Sequence, residues 1–535
     1  MDRDLRSVQE VRELLAKAEA ALPALRELSQ KDVNKITEAM AEAGYQASER
    51  LAKMAVEETG FGKYEDKVIK NRFATRNLLQ YIAPLKTVGF IEEEPQNKVW
   101  KIAEPMGVVA AIIPSTNPTS TAMYKAIISL KARNAIVLSP HPAAVRCTLE
   151  AAGVMAAAAE RAGAPKGAVN CMSMPEMSGT NELMKHRITK VILATGGTAL
   201  VRAAYSAGKP AFGVGPGNVP AFIERTADVR KAVKDIVASK TFDYGTVCAS
   251  EQSIIADRPV KDEVVAELKR NNAYFCAAQE IAALEKVMIS PKGGINPAIV
   301  GQPAWRIAEM AGFSRSDGSP QVARETSMLV VPLTGVGKQY PLSMEKLSPV
   351  ISFYEADGWE DGCQRCLEII NFGGLGHTLC LHSRDEKIIR EFALKKPVFR
   401  VLVNTGGTHG AIGYTTGLEP ALTLGCGTWG GSITADNVTP LHLINIKRLA
   451  YETNPLNPSE QPDDGGQAFS PDKKTRWRYD EKYHYRPVAD KKPEPEVRAD
   501  APATAAPLPG AQVQYGTSGI TEEQIEAIIK EFTKK

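Results

Sequence analysis

The sequence has no long apolar run, little excess charge and no leader-like start. No stretch approaches the roughly 18 apolar residues that span a bilayer, so we expect no membrane-spanning helix. The net charge of +3 over 535 residues is small and favours neither nucleic acid nor an anionic membrane as a partner. The first residues, MDRDLRSVQE, lack a basic segment followed by an apolar one. The sequence therefore predicts a soluble, cytoplasmic protein without a signal peptide.

Cysteines are few and widely spaced, eight in the whole chain. This spacing argues against a disulfide framework and favours a reducing compartment. Cys363 and Cys366 form the one C-x-x-C pair, within a segment that reads as a helix. Neither a second pair nor a nearby histidine completes a zinc site in the sequence, so we expect ordinary thiols and no metal.

Short apolar runs alternate with helix-like segments from residue 107 onwards. The runs lie at 107–113, 135–139, 167–172 and 190–195. Such alternation is typical of βαβ units in a parallel sheet that is covered on both faces. A second segment of this kind extends from about 242 to 432. The sequence therefore predicts an α/β protein with a dinucleotide-binding outline.

The composition changes near residue 452. Residues 452–519 are polar and then rich in Pro and Ala, which predicts an extension and a flexible linker. Residues 520–535 predict an amphipathic helix with Thr521 and Gln524 as its capping box. A helix of this length is marginal alone in water. It either folds back on its own body or, as we favour, docks on another protein.

Cys248 lies in the segment TFDYGTVCASEQS, in a loop between a predicted helix and a predicted strand. Its small neighbours would let a substrate reach the thiol. By itself, however, a cysteine is more often a small apolar residue than a nucleophile. A catalytic role for Cys248 therefore needs support from the rest of the chain.

Several motifs together resemble one enzyme family. They are EPMGVVAAIIPSTNPTSTAMYKAIISLKARNAIVLSPHP, ILATGGTALVRAAYSAGKPAFGVGPGN, TFDYGTVCASEQS, EKLSPV, GGLGHT and LTLGCGTWGG. In this order they resemble the aldehyde dehydrogenase superfamily. The CoA-acylating branch, which includes the aldehyde half of bifunctional aldehyde–alcohol dehydrogenases, is the best match. The resemblance covers about residues 5–450 and implies two α/β domains with parallel-type sheets and a small oligomerisation arm.

The resemblance implies roles for Cys248 and Asn117. Cys248 matches the family's nucleophile, whose thiolate converts an aldehyde into a thiohemiacetal that can release hydride. Asn117, in PSTNP, matches the oxyanion donor, with the Cys248 backbone N–H as the second donor. The alternative role for Asn117 is to cap the helix that follows it.

The stretch that matches the hydrolytic family's acidic motif carries no acid here. Hydrolytic members have a Glu in a motif like LELGG, where it activates water. The corresponding residues 212–220 read FGVGPGNVP. This departure fits the acylating branch, in which coenzyme A resolves the thioester. Glu251, three residues beyond Cys248, is expected to be structural.

The resemblance also implies NAD as cofactor and coenzyme A as cosubstrate, without a metal. Residues 213–218 lack the last glycine of G-x-G-x-x-G, but the family binds NAD without that fingerprint. The expected contacts follow three strands, at the edge where parallel sheets bind ligands. They are Ile113, Pro114 and Ser115, then Ser139, Pro140 and His141, then Thr195, Gly196 and Gly197. Ser139 replaces the family's usual lysine, which leaves the adenosine-ribose contact open.

Three further residues are candidates for the site. Glu345, in EKLSPV, resembles the nicotinamide-ribose ligand, and its alternative is a surface carboxylate. His377, in GGLGHT, is a candidate for moving protons near the thiol, although a lone histidine is more often structural. His409, in GGTHG, is a weaker candidate for the same role.

The predicted domains follow from these motifs. Residues 1–87 and 106–240 are assigned to an NAD- and CoA-binding domain, and residues 241–432 to a catalytic domain with the site in the cleft between them. The oligomerisation arm comprises residues 88–105 and 433–451, and we expect a homodimer or a dimer of dimers. We expect no alcohol dehydrogenase half in this protein.

We predict that the protein converts acetaldehyde or propionaldehyde, NAD and CoA into acyl-CoA and NADH. Residues 520–535 resemble the encapsulation peptides of bacterial microcompartment enzymes. This implies a lumenal enzyme whose partners are shell or core proteins. Three alternatives stay open. They are a hydrolytic aldehyde dehydrogenase that gives the free acid, a glutamate-semialdehyde-type reductase that acts on acyl phosphates, and a catalytically dead scaffold that recruits partners through its tail.

Overall fold

The structure, a computed structural model, describes residues 2–291, 293–314, 319–453, 476–479 and 485–488. The chain divides into two compact units, Met1–Asn454 and Pro455–Lys535. The helix predicted at 520–535 and most of the predicted linker lie outside the described residues. The fold and the candidate site below therefore belong to the first unit.

The described residues of the first unit contain sixteen α-helices. They are α1 (Arg3–Glu27), α2 (Gln30–Gln46), α3 (Ser48–Thr59), α4 (Tyr64–Arg72), α5 (Leu78–Ile82), α6 (Pro118–Lys131), α7 (Val145–Ala162), α8 (Met177–Lys185), α9 (Thr198–Tyr205), α10 (Val229–Thr241), α11 (Lys261–Arg270), α12 (Ala278–Met288), α13 (Ala304–Met310), α14 (Trp359–Phe372), α15 (Glu386–Lys395) and α16 (Gly407–Ala411).

Fifteen strands belong to the first unit and two to the second. They are β1 (Gly89–Glu94), β2 (Val99–Pro105), β3 (Val108–Ile112), β4 (Ala135–Ser139), β5 (Val169–Cys171), β6 (Thr189–Thr195), β7 (Ala211–Val214), β8 (Val219–Ile223), β9 (Glu251–Asp257), β10 (Ala273–Phe275), β11 (Met328–Pro332), β12 (Val350–Ala356), β13 (Gly376–His382), β14 (Val398–Val403), β15 (Ile444–Ala450), β16 (Arg476–Tyr479) and β17 (Tyr485–Val488). Strands β16 and β17 pair antiparallel with each other.

A five-stranded parallel sheet has the order β5-β4-β3-β6-β7. Its central strands β3 and β4 are buried at every residue, which explains why their sequences are apolar throughout and do not alternate. Helix α6 is also buried on all sides and carries few charged side chains. The predicted α/β class is therefore confirmed.

A seven-stranded parallel sheet has the order β10-β11-β12-β9-β8-β13-β14. Strand β8 pairs with β9 and β13 in this sheet, although the sequence analysis had assigned residues up to 240 to the first domain. The crossover helix α10 connects β8 to β9 and so belongs with the strands it joins. The chain therefore passes from one sheet to the other at residues 215–218, earlier than expected.

A three-stranded antiparallel arm has the order β1-β2-β15. The predicted hairpin at 88–105 and the predicted strand near residues 442–450 are both present, and they pair along β2. Among the described residues, no helix combines the length and the apolar character that crossing a membrane requires.

The parallel strands β4, β3 and β6 are neighbours, so they end at one edge of the five-stranded sheet. Lys125 of α6 joins two of these ends, because its Nζ donates to the carbonyl oxygens of Ile112 at 2.8 Å and Leu193 at 2.9 Å. Burial lowers the pKa of Lys125 well below its usual range. This edge is where open parallel sheets bind ligands, and it adjoins the segment that carries Cys248.

Candidate active site

The turn before Cys248 is held in an unusual backbone conformation. Helix α10 ends at Thr241, and Asp243 and Tyr244 follow with φ values of 48° and 51°. A left-handed conformation is costly for a tyrosine and persists only where its surroundings impose it. Cys248 then lies in the loop before β9, as predicted, and remains half-buried.

His377, the second residue of β13, contacts the thiol directly. Its Nε2 lies 3.2 Å from the Cys248 Sγ, and its Nδ1 lies 2.9 Å from the Oγ1 of Thr378. If the thiol donates to Nε2, the proton of the neutral ring must sit on Nδ1, where Thr378 can accept it. The structure thus brings together two predicted residues that are 129 positions apart in sequence.

Burial keeps both members of this pair neutral. It raises the pKa of the Cys248 thiol to about 12, and Glu345 adds to the effect while Arg400 opposes it. It lowers the pKa of His377 to about 3, and the Arg400 guanidinium contributes in the same direction. Because the thiol is protonated near neutral pH, it needs a base at the moment of attack, and His377 is within hydrogen-bonding distance.

Gly217 packs closely against the backbone of Cys248. A Cβ at this position would lie 2.1 Å from the carbonyl oxygen of Cys248, so no other residue fits. The Gly217 N–H donates to the Oε1 of Glu345 at 2.9 Å. Burial raises the pKa of Glu345 to about 7. The predicted ribose ligand thus lies close to the nucleophile, and it is not a surface carboxylate.

The side chain of Asn117 does not cap α6, although the residue occupies the N-cap position. Its Oδ1 accepts a hydrogen bond from the Nζ of Lys70, and its Nδ2 donates to the Oγ1 of Thr116 at 3.1 Å. An amide nitrogen has two hydrogens, so one remains for a ligand. The helix-capping alternative therefore does not describe this side chain.

Cys248, Asn117 and Thr195 line one pocket together with Lys70, Thr121 and His409. The Oγ1 of Thr195 is buried and has no hydrogen-bond partner, so it is available to a ligand. The other lining residues are apolar or aromatic. They are Ile69, Phe73, Val214, Phe242, Val247, Ile412, Tyr414, Leu422 and Leu424.

The described residues fit a dinucleotide at this edge of the sheet. Gly197 is the N-cap of α9 and supplies no side chain, so the first backbone amides of this helix stay free for phosphate. A Cβ at Gly197 would meet nothing within 4 Å, which means that the space beside it is open. Thr195 and Gly196 lead into this turn from β6.

The other predicted cofactor contacts differ in how exposed their side chains are and in whether their polar groups already have partners. Ser115, after β3, is partly exposed beyond the buried Ile113 and the half-buried Pro114. The Ser139 hydroxyl is buried and pairs with the Oγ1 of Thr180 at 2.9 Å, so it is not presented to the cleft. Pro140 is buried and His141 is exposed, with its Nδ1 accepting from the backbone of Ala143.

His409 and Glu251 have structural contacts. The His409 ring lines the pocket and packs edge-on against Phe242, with ring centroids 4.9 Å apart. Glu251 is fully buried and accepts hydrogen bonds from Ser239 and from the Gly407 N–H. With its carboxylate occupied in this way, Glu251 is not aimed at the pocket that contains Cys248.

Sequence reasoning missed a buried cluster of charges beside the pocket. Lys67 and Lys70 of α4 both contact the carboxylate of Asp243. Arg400 was also missed, and it donates to four oxygens of uncharged groups around His377. The sequence offered one signal for each. Lys67 and Lys70 lie three residues apart on α4 beside buried positions, and Arg400 occupies an inward position of the alternating strand β14.

The chain is similar to known proteins over most of its length. The aldehyde dehydrogenase family profile matches residues 4–281. A bifunctional aldehyde–alcohol dehydrogenase of Escherichia coli strain K12 is 43% identical over 452 residues, which cover 83% of this chain and 50% of that protein. This chain thus spans about half the length of that curated relative.

Solved structures extend the similarity to three dimensions. The crystal structure of an acetylating aldehyde dehydrogenase from Geobacillus thermoglucosidasius has a TM-score of 0.82 and 51% identity, covering 86% of this chain and 100% of that one. A propionaldehyde dehydrogenase from the Clostridium phytofermentans fucose utilisation bacterial microcompartment has a TM-score of 0.72 and 25% identity, covering 82% and 97%. Since the family profile matches more than half of the residues and the fold agrees, the chain belongs to the aldehyde dehydrogenase family.

Proposed function

We propose that the protein is an NAD-dependent, CoA-acylating aldehyde dehydrogenase that acts on short aliphatic aldehydes such as acetaldehyde and propionaldehyde. The observation that carries this proposal is the contact between Cys248 and His377, with Cys248 and Asn117 lining one pocket whose other residues are mostly apolar or aromatic. None of the described residues that line this pocket is an Asp or Glu. A thioester on Cys248 would therefore persist until a thiol attacks it, instead of being hydrolysed.

The first step is addition of Cys248 to the aldehyde. A bond forms between Sγ and the carbonyl carbon while the C=O π bond breaks, and the thiol proton moves to the Nε2 of His377. The oxygen gains negative charge, and the free N–H of Asn117 Nδ2 is the donor that stabilises it. Return of the proton to this oxygen completes a thiohemiacetal.

The second step is oxidation of the thiohemiacetal. NAD, when bound, supplies a hydride acceptor, and Thr195, Gly196, Gly197 and Glu345 are the residues that would hold it. As the C–H electron pair leaves the carbon, the oxygen loses its proton and the C=O bond forms again. His377 is the base within reach of this proton and releases it to solvent before the next step, and Cys248 keeps the acyl group as a thioester.

The third step is transfer of the acyl group to coenzyme A. The incoming thiol loses its proton to His377 and attacks the thioester carbon, so that the Cys248 sulfur leaves and takes the proton back. Asn117 stabilises the tetrahedral oxygen in this step as in the first. Atoms and protons balance, and the products are acyl-CoA, NADH and one released proton.

The pocket walls support the proposed substrate class. Aromatic and aliphatic side chains surround the thiol, and the Lys70 ammonium is already held by Asp243. A short hydrocarbon chain suits these walls better than a charged one. The acetylating and propionaldehyde dehydrogenases that resemble this chain support the same range of substrates.

A homodimer or dimer of dimers is part of the same proposal. The three-stranded arm leaves large apolar side chains exposed, among them Phe90, Leu449 and Tyr451. Apolar surface of this kind is typical of contacts between protein chains. A single sedimentation species at the monomer mass would contradict this assembly.

The acceptor is tested by measuring NADH formation with C2 to C4 aldehydes, with and without CoA. We expect sustained turnover only when CoA is present, because no described residue that lines the pocket is an Asp or Glu and the nearby Glu345 is held by the Gly217 N–H. Full turnover without CoA, with a free acid as product, would indicate the hydrolytic alternative. Activity that depends on inorganic phosphate instead would indicate an acyl-phosphate reductase, and no turnover at all would leave the scaffold alternative.

The two catalytic groups are tested by separate substitutions. We expect Cys248→Ala to abolish NADH formation, since no adduct can form. Asn117→Ala should lower kcat roughly 10²–10³-fold, the range for one lost oxyanion donor. Calorimetric titration with NAD should give similar affinities for both variants and the wild type. A kcat for Asn117→Ala equal to that of the wild type would remove Asn117 from the mechanism.

The protonation state of Cys248 is tested by alkylation with iodoacetamide in the absence of substrates. Burial raises the thiol pKa to about 12, so the thiolate fraction should rise about tenfold per pH unit near neutrality. Labelling of Cys248 should accelerate accordingly, without a plateau, and Cys248→Ala identifies the labelled site. A plateau that begins near neutral pH would show that the thiolate is already formed.

We also propose that residues 520–535 direct the enzyme to the lumen of a bacterial microcompartment. This part of the proposal is supported by the amphipathic pattern in the sequence and by the microcompartment source of one similar structure. The apolar face of the predicted helix, formed by Ile525, Ile528, Ile529 and Phe532, would bind a shell or core protein.

Targeting is tested by fusing residues 486–535 to a fluorescent protein in cells that produce shells. We expect foci that coincide with the shells. A matched fusion with Ile525 and Ile529 changed to Ser loses the apolar face but keeps length and charge, and it should stay diffuse. Diffuse fluorescence from the unaltered fusion would contradict the targeting role.

A further inference from the structure

We propose that Lys70 is a positioning residue for the oxyanion donor, which it holds by its side-chain oxygen and ties to the turn that carries the nucleophile. This proposal rests on the proposed function, because it assigns Asn117 a role in that reaction. The residues that carry it are Lys70, Asn117, Asp243 and Thr246, which form one continuous hydrogen-bonded group.

All three donors of the Lys70 ammonium have partners. Lys70 is 4% exposed, and its Nζ contacts the Oδ1 of Asn117, the Oδ2 of Asp243 and, at 3.0 Å, the Oγ1 of Thr246. Each contact goes to an oxygen, so the geometry is that of a saturated, buried ammonium. The side chain is therefore held in one position, because any other would leave a buried charge without partners.

Lys70 determines which way the Asn117 amide faces. An ammonium only donates, so the amide must turn its oxygen towards Lys70 and its nitrogen away. One hydrogen of Nδ2 reaches the Oγ1 of Thr116 at 3.1 Å, and the other is left for the substrate oxygen. Without Lys70, a flipped amide would present its oxygen to a developing oxyanion and repel it.

The charge on Lys70 also strengthens the donor. A cation at the oxygen end of an amide polarises the group and makes its N–H a better hydrogen-bond donor. Burial lowers the pKa of Lys70 to about 8, against the opposing effect of Asp243. The side chain is thus mostly charged near neutral pH.

The same ammonium links the donor to the nucleophile. Asp243 and Thr246 belong to the turn that leads into Cys248, whereas Asn117 follows β3 of the other sheet. Lys70 bridges these two segments from α4, a third element. Catalytic groups that approach from separate sheets need such a link, since a displacement of about 1 Å costs a large part of the rate.

Lys67 offers a matched control one turn earlier on α4. It is 2% exposed, and its Nζ also contacts the Oδ2 of Asp243, at 2.9 Å. Its other contact is the backbone oxygen of Thr116 at 3.0 Å, and not the side chain of Asn117. Lys67→Met therefore removes the same charge from the same carboxylate without freeing the amide.

The test is a pair of double-mutant cycles on the full chain, measured as kcat at saturating aldehyde, NAD and CoA. We expect Lys70→Met to lower kcat about 10²-fold, with little change in the NAD affinity measured by calorimetry. In the Asn117→Ala background the same substitution should lower kcat less than about threefold, because the group it positions is gone. Lys67→Met should reduce kcat by a similar factor in both backgrounds.

Three further outcomes are decisive. If Lys70→Met and Asn117→Ala lower kcat by independent factors, or if Lys67→Met couples to Asn117 as strongly, Lys70 only stabilises the fold and the proposal is wrong. Wild-type protein without CoA-dependent NADH formation overturns the proposed function first, which separates the two failures. Should Lys70→Met fail to fold, Lys70→Gln, which is one bond shorter but keeps a neutral donor, replaces it, and its cycle with Asn117→Ala decides the same question.

Discussion

One buried carboxylate, that of Asp243, holds the site together. Burial alone would raise its pKa, but Lys67 and Lys70 outweigh that effect and the pKa is lowered. Its Oδ1 accepts from the Lys63 N–H at 2.6 Å, and its Oδ2 accepts from both ammonium groups and from Thr246. Removing one partner of such a buried cluster costs about 3–5 kcal/mol, because a charge is left uncompensated. This stabilisation offsets the cost of the left-handed backbone at Asp243 and Tyr244. The turn that they form determines the position of Cys248.

The same cluster explains how Cys248 and His377 can stay neutral although charged side chains lie nearby. The cations next to the pocket are already held by oxygens, so they do not ionise the thiol. Cys248 and His377 are both kept neutral by burial, and in the proposed reaction the hydrogen bond between them is where proton transfer would begin. Arg400 sits behind His377 and makes an imidazolium unfavourable, which means that a proton taken from the thiol is readily passed on.

Local patterns in the sequence predicted the strands, the hairpin arm and the loop position of Cys248, because burial on both faces of a parallel sheet produces apolar runs that are visible residue by residue. The family resemblance supplied Asn117 and His377. Neither source could predict that Lys70 reaches Asn117, since a buried lysine looks like any surface lysine until its partners are known. The contact between Cys248 and His377 likewise depends on β8 lying between β9 and β13, a sheet order that no local pattern encodes. For the same reason, the sequence does not show that residues 219–223 form a strand of the seven-stranded sheet.

The glycine-rich stretch at 213–218 has a structural role that its sequence pattern does not reveal. Its spacing invites comparison with a phosphate-binding loop, yet Gly217 is required by the carbonyl oxygen of Cys248, which leaves no room for a side chain. This stretch is also where the chain crosses from the five-stranded sheet to the seven-stranded one. At that crossing the Gly217 N–H holds Glu345, the candidate ribose ligand, while its Cα faces the nucleophile. Gly217 therefore contacts both Glu345 and Cys248. A change that shifts either sheet at this residue would displace the carboxylate and the thiol together.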